Sequence, residues 1–149
     1  MAYEYVRRYP ARVASLILSN TGTDMSKTMQ EYDRLQKANP TKFWNTHACR
    51  VGMPEALKDA MRNGGTVWGG MGVVADYKAE PLVSSSSPSP PTLLIQTRHD
   101  FGAAVSQNWR DFLPIEEEVM LENCAHYPHL EDGATFGKVI SDFVQRHDK

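Results

Sequence analysis

The chain has 149 residues, 41% of them hydrophobic and 23% charged, which is the make-up of an ordinary globular domain and sets an expectation of one core. Its formal net charge of -2 comes from 16 basic and 18 acidic residues that are scattered rather than blocked, so no basic stripe points to nucleic acid or to an anionic membrane. Two widely separated cysteines, Cys49 and Cys124, make no disulfide framework and no paired zinc motif, and a reducing, cytoplasmic setting is expected. The first ten residues lack the apolar stretch of a signal peptide, and no run of about 18 apolar residues occurs, so no membrane partner is expected.

In chain order, Ala2 to Tyr9 has helical character and stops at Pro10, because the residue before a proline is pushed out of the α region. Val13 to Leu18 is a short apolar run that meets Ser19-Asn-Thr-Gly22, the pattern of a strand buried on both faces and hence of a parallel sheet. Ser26 is placed to cap a helix reaching about Ala38, which Asn39-Pro40 ends. Thr41 is placed to cap a second, through Phe43, Trp44 and His47. A third starts near Pro54 and is expected to stop at Gly64-Gly65. The Ser/Pro stretch at 84–90 predicts an extended linker. Beyond it, Thr92 to Thr97 and Glu118 to Leu121 predict two more strands around a helix from about Ala103 to Phe112. A last helix, about Ala134 to His147, puts Phe136, Val139, Ile140, Phe143 and Val144 on one face to pack on the sheet.

Ligands of an open parallel sheet bind outside the carboxyl ends of its strands. Two of the three strand ends carry titratable groups: Arg98-His99-Asp100 after one, and Glu122 to Asp132, with His126 and His129, after the next. A carboxylate and an imidazole thus leave neighbouring strand ends, in the order of an acid and a base that follow a nucleophilic serine along the chain.

These residues resemble a known superfamily. Tyr5-Val-Arg-Arg-Tyr-Pro10 with Val13 to Leu18, then Pro91 to Asp100, then Ala125-His126-Tyr-Pro128-His-Leu-Glu131 with Ile140-Ser-Asp-Phe143, resemble the C-terminal portion of the α/β-hydrolases. Within that superfamily, Phe43 to Arg50 leading to Thr66-Val-Trp68 looks most like the lid of proline iminopeptidases and related amino-acid amidases. The resemblance implies an α/β fold of about three parallel strands with flanking helices and a small helical lid. Core would lie at 1–22 and 91–149, the lid at 23–83 and the linker at 84–90. It also implies Asp100 as triad acid and His126 as base, with His129 as wall or lid contact. Trp44, Trp68 and Phe101 are candidates for the substrate pocket, and the implied substrate is a small amide, peptide or ester, with no cofactor.

Such a hydrolase presents its serine in a G-x-S-x-G turn, and no Gly-x-Ser occurs in the chain. The elbow is expected just upstream of Met1, together with the loop that supplies oxyanion N–H groups, so the chain alone is expected to be inactive. The likeness also departs at the substrate end: Phe101, not a carboxylate, follows Asp100, and none follows Trp68 until Asp76.

Other readings remain at this stage. Gly70-Met-Gly72-Val-Val-Ala75 fits a dinucleotide fingerprint but has little strand before it and Pro81 too soon after it. Cys124, His126, His129 and Glu131 are all residues that can ligate zinc. The strand at Val13 to Leu18 would also have an unpaired edge, suited to a complementing N-terminal half, to self-association or to a non-catalytic binding module.

Overall fold

A computed structural model describes residues 2–67, 74–82 and 88–148. Trp68, the Gly70 to Val73 part of the glycine-rich segment and Ser84 to Ser87 of the linker lie outside the described residues. Three parallel strands form one sheet in the order β1 (Leu16–Ser19), β2 (Thr92–Thr97), β3 (Glu117–Leu121). The register pairs Leu16 with Thr92 and Leu93 with Glu117, so the three carboxyl ends lie side by side.

β2 is buried at every position, its polar Thr92, Gln96 and Thr97 included, as its central place requires. Its alternate residues feed two cores. On one face Leu16, Leu18 and Leu94 pack with Tyr3 and Val6 of α1 (Ala2–Arg8) and with Trp109 and Leu113. On the other, Leu93, Ile95 and Leu121 pack with Cys124 and with Phe143 of α6 (Gly133–His147). The apolar stripe expected on that last helix thus meets the sheet, Phe136, Val139 and Ile140 lying beside the same cluster.

Several boundaries differ from expectation, each for a local reason. β1 starts at Leu16 because Pro10–Arg12 forms a 3-10 turn that Val13 closes, its N–H donating to the Pro10 carbonyl. It is also not buried on both faces: Leu16 and Leu18 are covered, while Ile17 and Ser19 are half-covered at the sheet edge. The helix expected from Ser26 is α2 (Met25–Ala38), capped instead by Asp24, whose carboxylate accepts from Lys27 N–H at 3.1 Å. The helix expected after Thr41 is a π turn over Trp44–Ala48 without a side-chain cap, closed by Cys49 N–H on the Trp44 carbonyl. The next helix, α3 (Glu55–Val67), runs through Gly64 and Gly65. The helix expected over 103–112 is a short α4 (Ala103–Ser106) followed by a 3-10 turn, Gln107–Asp111. That tighter winding accompanies the burial of Trp109, whose indole N–H donates to the Thr21 carbonyl at 2.6 Å. Among the described residues no helix is long and apolar enough to cross a membrane.

Candidate active site

The site is assembled where the three strands end. β2 stops at Thr97, and the chain turns through Arg98 and His99 to Asp100, whose side chain is fully buried. β3 stops at Leu121, and its exit loop reaches His126. The imidazole Nδ1 of His126 lies 2.7 Å from Oδ1 of Asp100. The carboxylate accepts, so Nδ1 carries a proton, and in the neutral ring the lone pair is then on Nε2. The imidazole is 27% exposed: held from behind, open in front. One side of the ring lies against Phe101, with centroids 4.2 Å apart, and Tyr127 meets it edge-on at 4.9 Å.

The backbone beneath His126 is tied down by Asn20, Thr97 and Glu131, none of which the sequence pattern assigns to that task. Asn20, directly after β1, donates through its side-chain amide to the carbonyls of Ala125 (3.0 Å) and His126 (3.2 Å). Thr97 Oγ1 donates to the Ala125 carbonyl at 2.8 Å. Glu131, on the short helix α5 (Pro128–Glu131), accepts Ala125 N–H at 3.0 Å and also Arg50 N–H at 3.0 Å. Every strand end therefore contributes: β1 through Asn20, β2 through Thr97 and Asp100, β3 through the histidine loop. Asn20 was overlooked because it does not titrate, yet it occupies the strand-end position that marked Asp100 and His126.

The segment after Lys42 is stitched to both loops. His47 Nδ1–H donates to the His99 carbonyl at 2.9 Å, and Tyr127 N–H donates to the Ala48 carbonyl at 3.2 Å. Burial pushes the His99 imidazole below its ordinary pKa, with the Arg50 charge acting the same way. The π turn brings Trp44 to the wall of a cavity of about 530 Å³. Phe101, His126 and Tyr127 line it together with Met25, Met29 and Tyr32 of α2 and with Asn20, Thr21, Gly22 and Thr28. Glycine at 22 is required by close approach, since a Cβ there would collide with the Thr28 hydroxyl. Residue 102 is also tightly placed: a Cβ would stand 3.1 Å from Oδ2 of Asp100, an oxygen with no hydrogen-bond partner among the described residues.

Of the residues singled out from sequence, Asp100, His126, Trp44 and Phe101 meet at this cavity, and Trp68 lies outside the described residues. His129 points elsewhere, its ring between those of Tyr127 and Phe136. The four residues considered for zinc do not converge: Cys124 is core, burial pushing its thiol up, and Glu131 is engaged with two backbone amides. Among the described residues no group of three or more His, Cys, Asp and Glu is placed to hold a metal ion.

No family model matches the sequence, and no curated protein matches it. Solved structures do. VinJ superposes with a TM-score of 0.77 at 25% identity, over 98% of this chain and 62% of that one. A proline iminopeptidase from Mycobacterium smegmatis superposes at 0.78 and 22% identity, over 99% and 62%. Est816, described as an enzyme that degrades N-acyl homoserine lactones, gives 0.61 at 19% identity, over 96% and 62%. The chain has the α/β-hydrolase fold, of which it is the C-terminal part, and it spans about 62% of the length of these neighbours.

Proposed function

We propose that this chain supplies the acid and base of a serine hydrolase, with His126 as general base and Asp100 as the carboxylate that orients it. The observation that carries the reading is the 2.7 Å Nδ1 to Oδ1 hydrogen bond at the wall of an apolar cavity, which makes Nε2 the basic nitrogen of the neutral ring, beside the space where a substrate would lie. In this reaction a serine Oγ attacks the acyl carbon of a small amide, peptide or ester while Nε2 takes the serine proton. The imidazolium then gives that proton to the leaving amine or alcohol as the acyl bond breaks. Water, deprotonated by the same Nε2, releases the acid and regenerates the serine. Asp100 stabilises the imidazolium at each passage without itself being protonated.

The serine and the oxyanion donors come, in this reading, from a segment bearing a G-x-S-x-G turn, so the 149 residues by themselves are inactive. The proline iminopeptidase-like lid sequence, from Phe43 to Arg50, supports cleavage of a small amide as the specific activity. The two free, buried cysteines are compatible with a reducing, cytoplasmic setting. The test is direct. A fluorophosphonate probe should leave the isolated chain unlabelled and should label a polypeptide in which the elbow is encoded upstream. In that longer protein Asp100→Asn should lower kcat by about 10⁴, the loss seen when a triad imidazole is held in the wrong tautomer. Full labelling of the isolated chain at a serine, or an unchanged kcat in Asp100→Asn, would sink the proposal. A second reading, a non-catalytic module that pairs with another chain, is favoured by the edge of β1, which no other strand covers among the described residues. An in-frame elbow in the coding DNA decides between them.

A further inference from the structure

We infer that the cavity beside His126 takes a neutral, apolar group, and that it discriminates against a ligand bearing an ammonium at that position. The inference rests on reading this cavity as the seat of the substrate, and it adds the chemical class.

Its walls are the thioethers of Met25 and Met29 and the rings of Tyr32, Trp44, Phe101 and Tyr127, and no carboxylate is among the lining residues described. Of the acidic groups on the surrounding elements, Asp33 of α2 is exposed and outside the lining, and the others are engaged elsewhere. Asp24 caps α2 and lies beside Lys78; Glu31 holds Arg34 with both oxygens, at 2.7 and 2.6 Å; Glu131 takes the amides of Ala125 and Arg50; Asp100 is bonded to His126. The stretches 68–73 and 83–87 contain neither Asp nor Glu.

Aromatic walls can attract a cation when they present open faces. Several of these rings are spent on one another. Tyr32 meets Phe43 at 4.7 Å and Phe101 at 5.4 Å, both edge-on, and Phe101 lies against the imidazole. His126 also becomes positive each time it holds a proton, and its counter-ion Asp100 is already bonded to it, so an ammonium beside the ring would face a like charge and find no carboxylate of its own in the wall. A buried charge without a partner is costly, whereas an aryl or alkyl group displaces water at a gain.

A matched pair of probes tests this on the 149-residue chain: 3-phenylpropanamide and L-phenylalaninamide, which differ by one amine, at about pH 6 where that amine is protonated. Amide chemical-shift titration should show the neutral probe perturbing residues 25–32, the Trp44 indole and residues 101–102 and 126–127, with the amine-bearing probe binding at least about tenfold more weakly. Met29→Glu places a carboxylate in the wall and should narrow or reverse the preference; Met25→Glu repeats the test if the first variant does not fold. Equal or tighter binding of L-phenylalaninamide by the unaltered chain overturns the inference, as does binding of neither probe or shifts outside the cavity. A chain that prefers the neutral probe but never hydrolyses an ester once joined to an elbow segment keeps this inference and loses the hydrolase reading.

Discussion

Asn20 is the residue on which the proposed base most depends without touching a substrate. Its backbone sits at φ 44°, the left-handed region that asparagine tolerates better than other residues with a Cβ. That conformation turns the chain sharply after β1 and aims the side-chain amide at the two carbonyls flanking the His126 Cα, in a site where the residue is buried. Removing the amide leaves buried carbonyl oxygens short of donors, although Ala125 keeps the Thr97 hydroxyl. Asn20→Ala is therefore expected to cost about 1–3 kcal/mol in urea unfolding. Asn20→Gly loses the same hydrogen bonds but relieves the backbone, so it should be more stable than the alanine variant by about 1 kcal/mol. Equal stability of the two would show that the left-handed turn carries no strain. In both variants the far-downfield Nδ1 proton resonance of His126 should broaden or disappear, a readout that mere destabilisation at another strand would not move.

At the scale of elements, strong periodic stretches were readable and the short connectors were not. β2 and α6 were legible because Thr92 to Thr97 and the stripe from Phe136 to Val144 satisfy local pattern and burial together. The pair Asp100 and His126 was legible for a related reason: strand ends are where a parallel sheet exposes its chemistry. What escaped was decided by contacts distant in sequence. The 3-10 turn at Gln107–Asp111 goes with the reach of Trp109 to Thr21, and the π turn at Trp44–Ala48 goes with the backbone hydrogen bond from Tyr127. The cap of α2 escaped because Asp24 and Ser26 are both good capping residues, and only geometry separates them. Asp24→Ala should accordingly lower stability by about 1 kcal/mol, while Ser26→Ala, at an exposed position inside the helix, should leave the urea midpoint nearly unchanged.

The stitching of the segment around His47 to the β2 exit has its own signature in pH. Burial holds the His99 pKa below its ordinary value of 6.5, so in the folded chain the imidazole resists a proton that the unfolded chain accepts. Between 6.5 and the folded pKa the unfolded state binds more protons, and stability falls as pH drops through that window. Below the folded pKa this group adds no further slope. His99→Asn should remove that share of the acid sensitivity, read as a smaller fall in urea midpoint between about pH 7 and pH 5. An unchanged slope would mean that other groups carry it.

For the molecule as a whole, the decisive asymmetry is between the two sides of β1. Leu16 N–H donates to Pro91 and Asn20 N–H to Ile95, so the amides on that side are held by β2. The alternation of a parallel ladder turns the amides of Ile17 and Ser19 the other way. There a cavity of about 330 Å³, lined by Tyr3, Ile17, Ser19, Tyr77 and Trp109 among others, runs beside the edge. An open edge of this kind is a template for a further strand, and under the proposed function that strand leads into the serine elbow. Hydrogen exchange separates the two sides. In the isolated chain the amides of Ile17 and Ser19 should exchange at least about a hundredfold faster than those of Leu94 and Ile95, which lie in the central strand. Joining or adding a segment that carries the elbow should protect Ile17 and Ser19 and leave β2 nearly unchanged. If those two amides are already slow at concentrations where the chain is monomeric, the edge is covered and the complementing half has no place to dock. If they become slow only as the chain is concentrated, copies of the chain are pairing through β1, and a lysine introduced at Ile17, half-buried at that edge, should reverse the protection.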